Sequence, residues 1–203
     1  MLASISPLGE RARGHRWGAT AAAFAVGAVG SGATVGVLSG ALGHLVIPSL
    51  AAATRILMLA VVALAAGLVD LFRPVWVPGL HRQVDEDWMV RYRWWVYGAG
   101  YGAQLGLGVV TVVTTAGVYT WMVAAALTTS PLGGLVVGAV FGVARTLPLA
   151  VVARVATPSQ LRARLSAVAA RARPAHRAAG LASVAVGGIG LLTGWVAAGG
   201  SWR

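Results

Sequence analysis

Only five acidic residues occur among 203, and one of them, Asp70, stands inside an apolar run, "ALAAGLVDLFRP". A carboxylate at membrane depth is costly unless it is paired or faces a cavity. Arg145, in "VARTLP", holds an almost equivalent place before a second proline, so Asp70 and Arg145 are read as an intramembrane charge pair, with Arg73 as a local rival for the carboxylate. Gln104, Thr111 and Thr115 are seven and four residues apart. On one helix they would share a face and could line a polar path for a solute. Three more acids adjoin a tryptophan in "VDEDW". Asp85, Glu86 and Asp87 suit the positive end of a helix, and with Trp88 they offer a docking surface for a partner.

Other chemistry is harder to place. His44 and Arg55 fall near span ends, and no second histidine or carboxylate adjoins His44, so no metal ligands are assigned. No span carries a nucleophile and base pair, an H-E-x-x-H motif or a carboxylate cluster. Catalytic residues and cofactors are therefore not expected. With no cysteine in the sequence, disulfides, thiolate metal sites and dithiol redox chemistry are all excluded for these residues.

The elements that must position these residues follow from composition. The chain is 58% hydrophobic and 10% charged, with a mean hydropathy of +0.78, whereas a soluble domain carries roughly a quarter charged residues. The bilayer is the natural solvent for such a chain, and the fold class is all-α, a polytopic bundle of membrane-spanning helices. Five apolar runs approach or exceed the ~20 residues that cross ~30 Å of hydrocarbon: Trp17 to Ile47, Leu50 to Phe72, Trp94 to Leu127, Leu132 to Val152 and Ala179 to Ala198. The first is too long for a secretory signal.

The net charge of +11 is carried by arginine alone and falls mainly between the runs, so anionic lipid headgroups are the expected partner and not nucleic acid. The arginine-rich segments are residues 11–16, 73–93 and 154–177, while the turns near Pro48 and Pro131 carry none. The positive-inside rule then places the N-terminus in the cytoplasm of a multi-pass plasma-membrane protein. Trp17, Trp76, Trp94 and Trp95 fall at the inner boundary, and Trp121, Trp195 and Trp202 toward the outer one, as two interfacial belts.

The expected organisation is a basic tail (1–16), a hairpin (17–72), a cytoplasmic loop (73–93), a second hairpin (94–153), a basic amphipathic segment (154–178) ended as a helix by Pro174, and a fifth helix with an external C-terminus (179–203). "GSGATVG" at Gly30 recurs as "GYGAQLG" at Gly100, which suggests a duplicated two-helix hairpin. Glycines at spacing four in both stretches suit close helix packing in lipid. A homodimer or a larger membrane complex is open to a chain this small.

The stretches "GSGATVGVLSG" and "GYGAQLGLGVV" resemble the cytochrome c biogenesis and thiol-disulfide transmembrane family, the group around the CcdA and DsbD membrane domains, over residues 20–155. The resemblance implies a small, polytopic, duplicated scaffold. The paired cysteines and the usual sixth span of that family are missing, so its redox activity does not carry over. Two functions remain: a small transporter or permease, and a non-enzymatic membrane subunit that anchors or recruits a partner.

Overall fold

The computed structural model describes residues 5–72, 87–108 and 115–199, and its regular structure there is helical. The elements are α1 (Pro7–Ala12), α2 (Trp17–Val46), α3 (Ala52–Phe72), α4 (Trp88–Arg91), α5 (Trp94–Gly106), α6 (Gly117–Leu127), α7 (Pro131–Val152) and α8 (Pro158–Ala197). Of these, α2, α3, α7 and α8 are long and apolar enough to cross a membrane. Their large apolar side chains point outward at Leu38, Leu42, Val61, Val140 and Ile189, which hydrocarbon tolerates and water does not.

Three segments depart from the sequence reading. The run from Trp94 to Leu127 is not one helix: α5 has 13 residues and α6 has 11. At ~1.5 Å per residue each falls short of the ~30 Å of hydrocarbon. α5 stops where Gly108 takes a φ of +78°, a left-handed value open to glycine. Pro174, in turn, lies inside α8, which runs unbroken through it and has 40 residues in all. An internal proline costs about 3 kcal/mol, and the Ala, Arg and Leu around it are strong helix formers that offset this. Lastly, the basic N-terminal tail contains α1, whose Ile5, Ser6 and Glu10 neighbourhood is fully buried. Trp121, expected toward the outer belt, is buried in α6.

Contacts divide the chain into two compact units, and the division falls within α2, α7 and α8. One unit holds α1, α2 up to Thr34, α4, α5, α7 from Gly138 and α8 up to Ala172. Its core is Ile5, Phe24, Ala28, Tyr97, Tyr101 and Leu149. Gly98, Gly102 and Gly106 put the backbone of α5 against α2: a Cβ on Gly102 would meet the Phe24 carbonyl, and one on Gly106 the Ala28 carbonyl. Gly142 does the same for α7 against Ala28 and Val29. In lipid, packing of this kind joins helices, because the hydrophobic effect no longer separates helix from solvent.

The other unit holds α2 from Val35, α3, α6, α7 up to Val137 and α8 from Arg173. Its buried side chains are small on α3 (Ala60, Ala63, Ala66) and include Val118, Trp121 and Ala125 on α6. Gly180, Gly187 and Gly194 are the buried glycines of α8, one every seventh residue. They meet Gly67, Ala60 and Leu57 of α3. The unit boundaries fall inside α2 and α7.

Candidate functional site

Among the described residues each unit buries one carboxyl group. The first is Glu10, and local structure places it. Ser6 caps α1, its side chain accepting from the Gly9 N–H at 3.1 Å, and Pro7 occupies the first helical turn, where its missing N–H costs nothing. The helix ends in a Schellman motif: the His15 N–H donates to the Glu10 carbonyl at 2.8 Å and the Gly14 N–H to the Arg11 carbonyl at 3.0 Å, with Gly14 at φ +73°. That turn brings His15 back over Glu10. Trp17 Nε1 then donates to the Ile5 carbonyl at 3.1 Å, tying α2 to the residue before the cap.

The Glu10 side chain is 0% exposed and both its oxygens are engaged. Tyr97 Oη donates to them at 2.9 and 2.8 Å, Thr20 Oγ1 donates to Oε2 at 2.7 Å, and Arg13 Nη2 donates to Oε1 at 2.5 Å. His15 Nδ1 lies 3.2 Å from Tyr97 Oη and 3.7 Å from Glu10 Oε2. The single Tyr97 proton is committed to Glu10, so His15 is the donor to the phenol oxygen. Burial works against the Arg13 cation, yet the hydrogen bond and charge of Glu10 outweigh it and hold Arg13 above its ordinary range. Tyr97 continues into an aromatic series, with Tyr101 at 6.1 Å and Trp88 stacked on Tyr101 at 6.0 Å. This cluster escaped the sequence reading. Its signal was the lone acid among the arginines of "SPLGERARGHRW", behind a Ser-Pro cap and before a glycine.

Asp70 belongs to the second unit and is 1% exposed at the end of α3. Its Oδ1 accepts the Ala116 N–H at 2.6 Å, at the residue that opens α6. Its Oδ2 is buried and has no hydrogen-bond partner among the described residues. His176 of α8 lies with Nε2 2.9 Å from the Asp70 backbone carbonyl, which orients the end of α3 without touching the carboxylate. So Asp70 serves as a side-chain cap for α6, favoured by the helix dipole, and keeps one oxygen uncommitted.

Arg145 lies in the first unit. Its Nε donates to the Leu105 carbonyl at 3.3 Å and its guanidinium sits 5.5 Å from the Phe141 ring centroid. Neither Asp70 nor Arg145 takes part in an ion pair among the described residues. Gln104 is half-buried on α5, and Thr115 is half-buried just before α6. The interruption at Gly108 removes the single helix on which the two were to share a face. Thr111, Asp85 and Glu86 lie outside the described residues. Asp87 is exposed at the start of α4, as a helix-opening acid should be, and Trp88 is half-buried, edge-on to Tyr92 at 5.7 Å and packed under Gly100. His44 Nδ1 meets the Thr129 carbonyl at 3.2 Å, and Arg55 Nη1 donates to Thr129 Oγ1 at 2.8 Å. Both clamp the turn between α6 and α7, where Thr129 has a φ of +50°.

The helices define a multi-pass membrane protein that buries the carboxyl groups of Glu10 and Asp70. The chain belongs to the cytochrome c biogenesis protein transmembrane region family, whose pattern matches residues 2–195, a longer stretch than the sequence motifs had implied. It is 36% identical over 154 residues to the methylamine utilization protein MauF of Paracoccus denitrificans, covering 73% of this chain and 55% of that protein. It is 33% identical over 153 residues to the protein of the same name from Paracoccus versutus, covering 74% of this chain and 56% of that one. The chain thus spans about half the length of the curated relatives it matches. No solved structure matches it significantly.

Proposed function

We propose that the chain is a small transporter or permease built on the scaffold of its family, working without thiol chemistry and moving a solute past Asp70. The observation that carries this reading is the buried carboxylate at the start of α6, a helix too short to cross a membrane alone. Helices interrupted at membrane depth are tolerated where they are buried in protein or line a polar path. Thr115 adjoins that helix start and is the lining candidate in the same unit. The relatives' name directs the first solute choice to small amines. The test is uptake of labelled methylammonium and other small solutes into proteoliposomes holding the intact chain. Uptake that Asp70→Asn abolishes supports transport, and none for any solute ends this reading.

The orientation that goes with it is a cytoplasmic N-terminus in the plasma membrane, supported by the distribution of arginine. Reporter fusions after Ser49 and Ser130 should read as external and one after Gln160 as cytoplasmic. The hairpin duplication is proposed as ancestry, and superposition of 17–72 on 94–153 by a rotation about the membrane normal tests it.

One observation favours the second reading, a subunit that anchors or recruits a partner. Arg162, Arg164, Arg171, Arg173 and Arg177 of α8 are all exposed, and no acidic residue follows Asp87 in the sequence. Such a segment suits anionic headgroups or an acidic partner surface, with Asp85, Glu86, Asp87 and Trp88 as a second contact. A stoichiometric partner that copurifies from membranes and is lost when these arginines become glutamine supports it.

A further inference from the structure

We propose that Asp70 is a binding site for a small monovalent cation, held on its free carboxylate oxygen. Four observations carry this. The side chain is 1% exposed, and Oδ2 has no hydrogen-bond partner among the described residues. No cationic side chain pairs with Asp70 among those residues. The Ala116 N–H at 2.6 Å compensates Oδ1 only. The start of α6 adds about half a charge, which leaves the carboxylate under-compensated where water does not screen it.

The charge class of the ligand follows from what surrounds the oxygen. A divalent cation gathers several oxygen ligands, commonly from more than one carboxylate. Among the described residues no group of three or more histidine, cysteine, aspartate or glutamate side chains could hold a metal ion. One open oxygen on one acid matches a single positive charge: sodium or a small ammonium ion. From the elements packed against α3, the groups that face Asp70 are the Ala116 N–H of α6 and His176 of α8, and His176 contacts the backbone carbonyl. The contrast with Glu10, whose two oxygens take four hydrogen bonds, isolates the feature to Asp70.

The inference deepens the transport reading, which it needs only for the role of the cation and not for its binding. The experiment uses the purified full chain in detergent, treated with dicyclohexylcarbodiimide, which modifies carboxyl groups in apolar surroundings, with the adduct located by mass spectrometry. Sodium chloride, methylammonium chloride and choline chloride are compared at one ionic strength and one pH. Adduct at Asp70 is expected, with Glu10 little modified. At ten times a cation's dissociation constant about one site in eleven stays empty, so labelling should slow about tenfold. Protection by sodium identifies an alkali coupling ion, and protection by methylammonium a substrate cation. Absence of adduct at Asp70, or labelling that neither sodium nor methylammonium slows relative to choline, overturns the proposal. Asp70→Asn should lose the adduct and any cation-dependent thermal shift, and if that variant does not fold the wild-type labelling decides alone. Cation binding without solute uptake would sink only the transport reading, whereas uptake with an unresponsive Asp70 would sink only this inference.

Discussion

Among the described residues each unit buries one carboxyl group, Glu10 in the first and Asp70 in the second, and the two differ in what their oxygens meet. Glu10 collects Arg13, Thr20 and Tyr97, with His15 behind the tyrosine. Asp70 has one backbone N–H on one oxygen and no described partner on the other. A saturated carboxylate rigidifies the structure around it, because every group it binds would otherwise be stranded. A half-saturated one keeps capacity for a ligand. Glu10 fastens the N-terminal segment to α2 and α5, and Asp70 carries an oxygen with no partner among the described residues.

That contrast breaks most directly at Glu10. Glu10→Ala leaves Arg13, Thr20 and Tyr97 without their acceptor and should cost about 3–5 kcal/mol, the range for removing one partner of a buried charge pair. Thermal unfolding in detergent measures it, and a loss below about 1 kcal/mol would show that the cluster fastens nothing.

Next come the glycines, where the two units should behave alike. Gly102→Val drives a side chain into the Phe24 carbonyl in one unit, and Gly187→Val meets the Ala60 carbonyl and the Leu64 backbone in the other. Each should cost about 1–3 kcal/mol or more, since backbone cannot yield as a side chain can. If one substitution is silent, that unit is looser than its geometry implies.

A gentler pair sharpens the comparison. Tyr97→Phe removes one donor from a saturated site and should cost about 1–2 kcal/mol. Asp70→Asn keeps an acceptor for Ala116 and relieves an uncompensated charge, so its cost should stay under about 1 kcal/mol. Stability losses in the reverse order would mean that Asp70 is the structural carboxylate.

The smallest expected effect concerns the charge pair first read from the sequence. A double-mutant cycle of Asp70→Asn and Arg145→Gln should give a coupling of about 0.5 kcal/mol or less if each group is held within its own unit. A coupling above about 1 kcal/mol would restore Arg145 as the counter-charge and remove the need for a soluble cation.

By itself the sequence determined the solvent and the helices. A chain 58% hydrophobic and 10% charged must turn apolar side chains outward, and only hydrocarbon accepts that. Runs of ~20 apolar residues locate α2, α3 and α7 to within a few positions, since the bilayer sets their length. Spacing-four glycines such as Gly98, Gly102 and Gly106 announced close packing, because only glycine admits a neighbouring backbone there. The want of cysteine removed thiol exchange from a family match that would otherwise have implied it.

Tertiary structure decided what composition averages away. Apolarity is the same on both sides of Gly108, so hydropathy joined α5 and α6, and a single φ of +78° ends α5. Proline lowers helix stability locally without forbidding the helix, so Pro174 looked like an end and lies inside α8. Glu10 drew no reading within the basic tail, because its partners Thr20 and Tyr97 are 10 and 87 residues away. Asp70 stood out as costly from sequence alone, but the N–H that meets it comes from Ala116, 46 residues on. Burial cost is a property of one residue and can be read along the chain. Satisfaction is a property of pairs brought together by folding, and only the folded arrangement says which carboxylate is complete and which has an oxygen to spare.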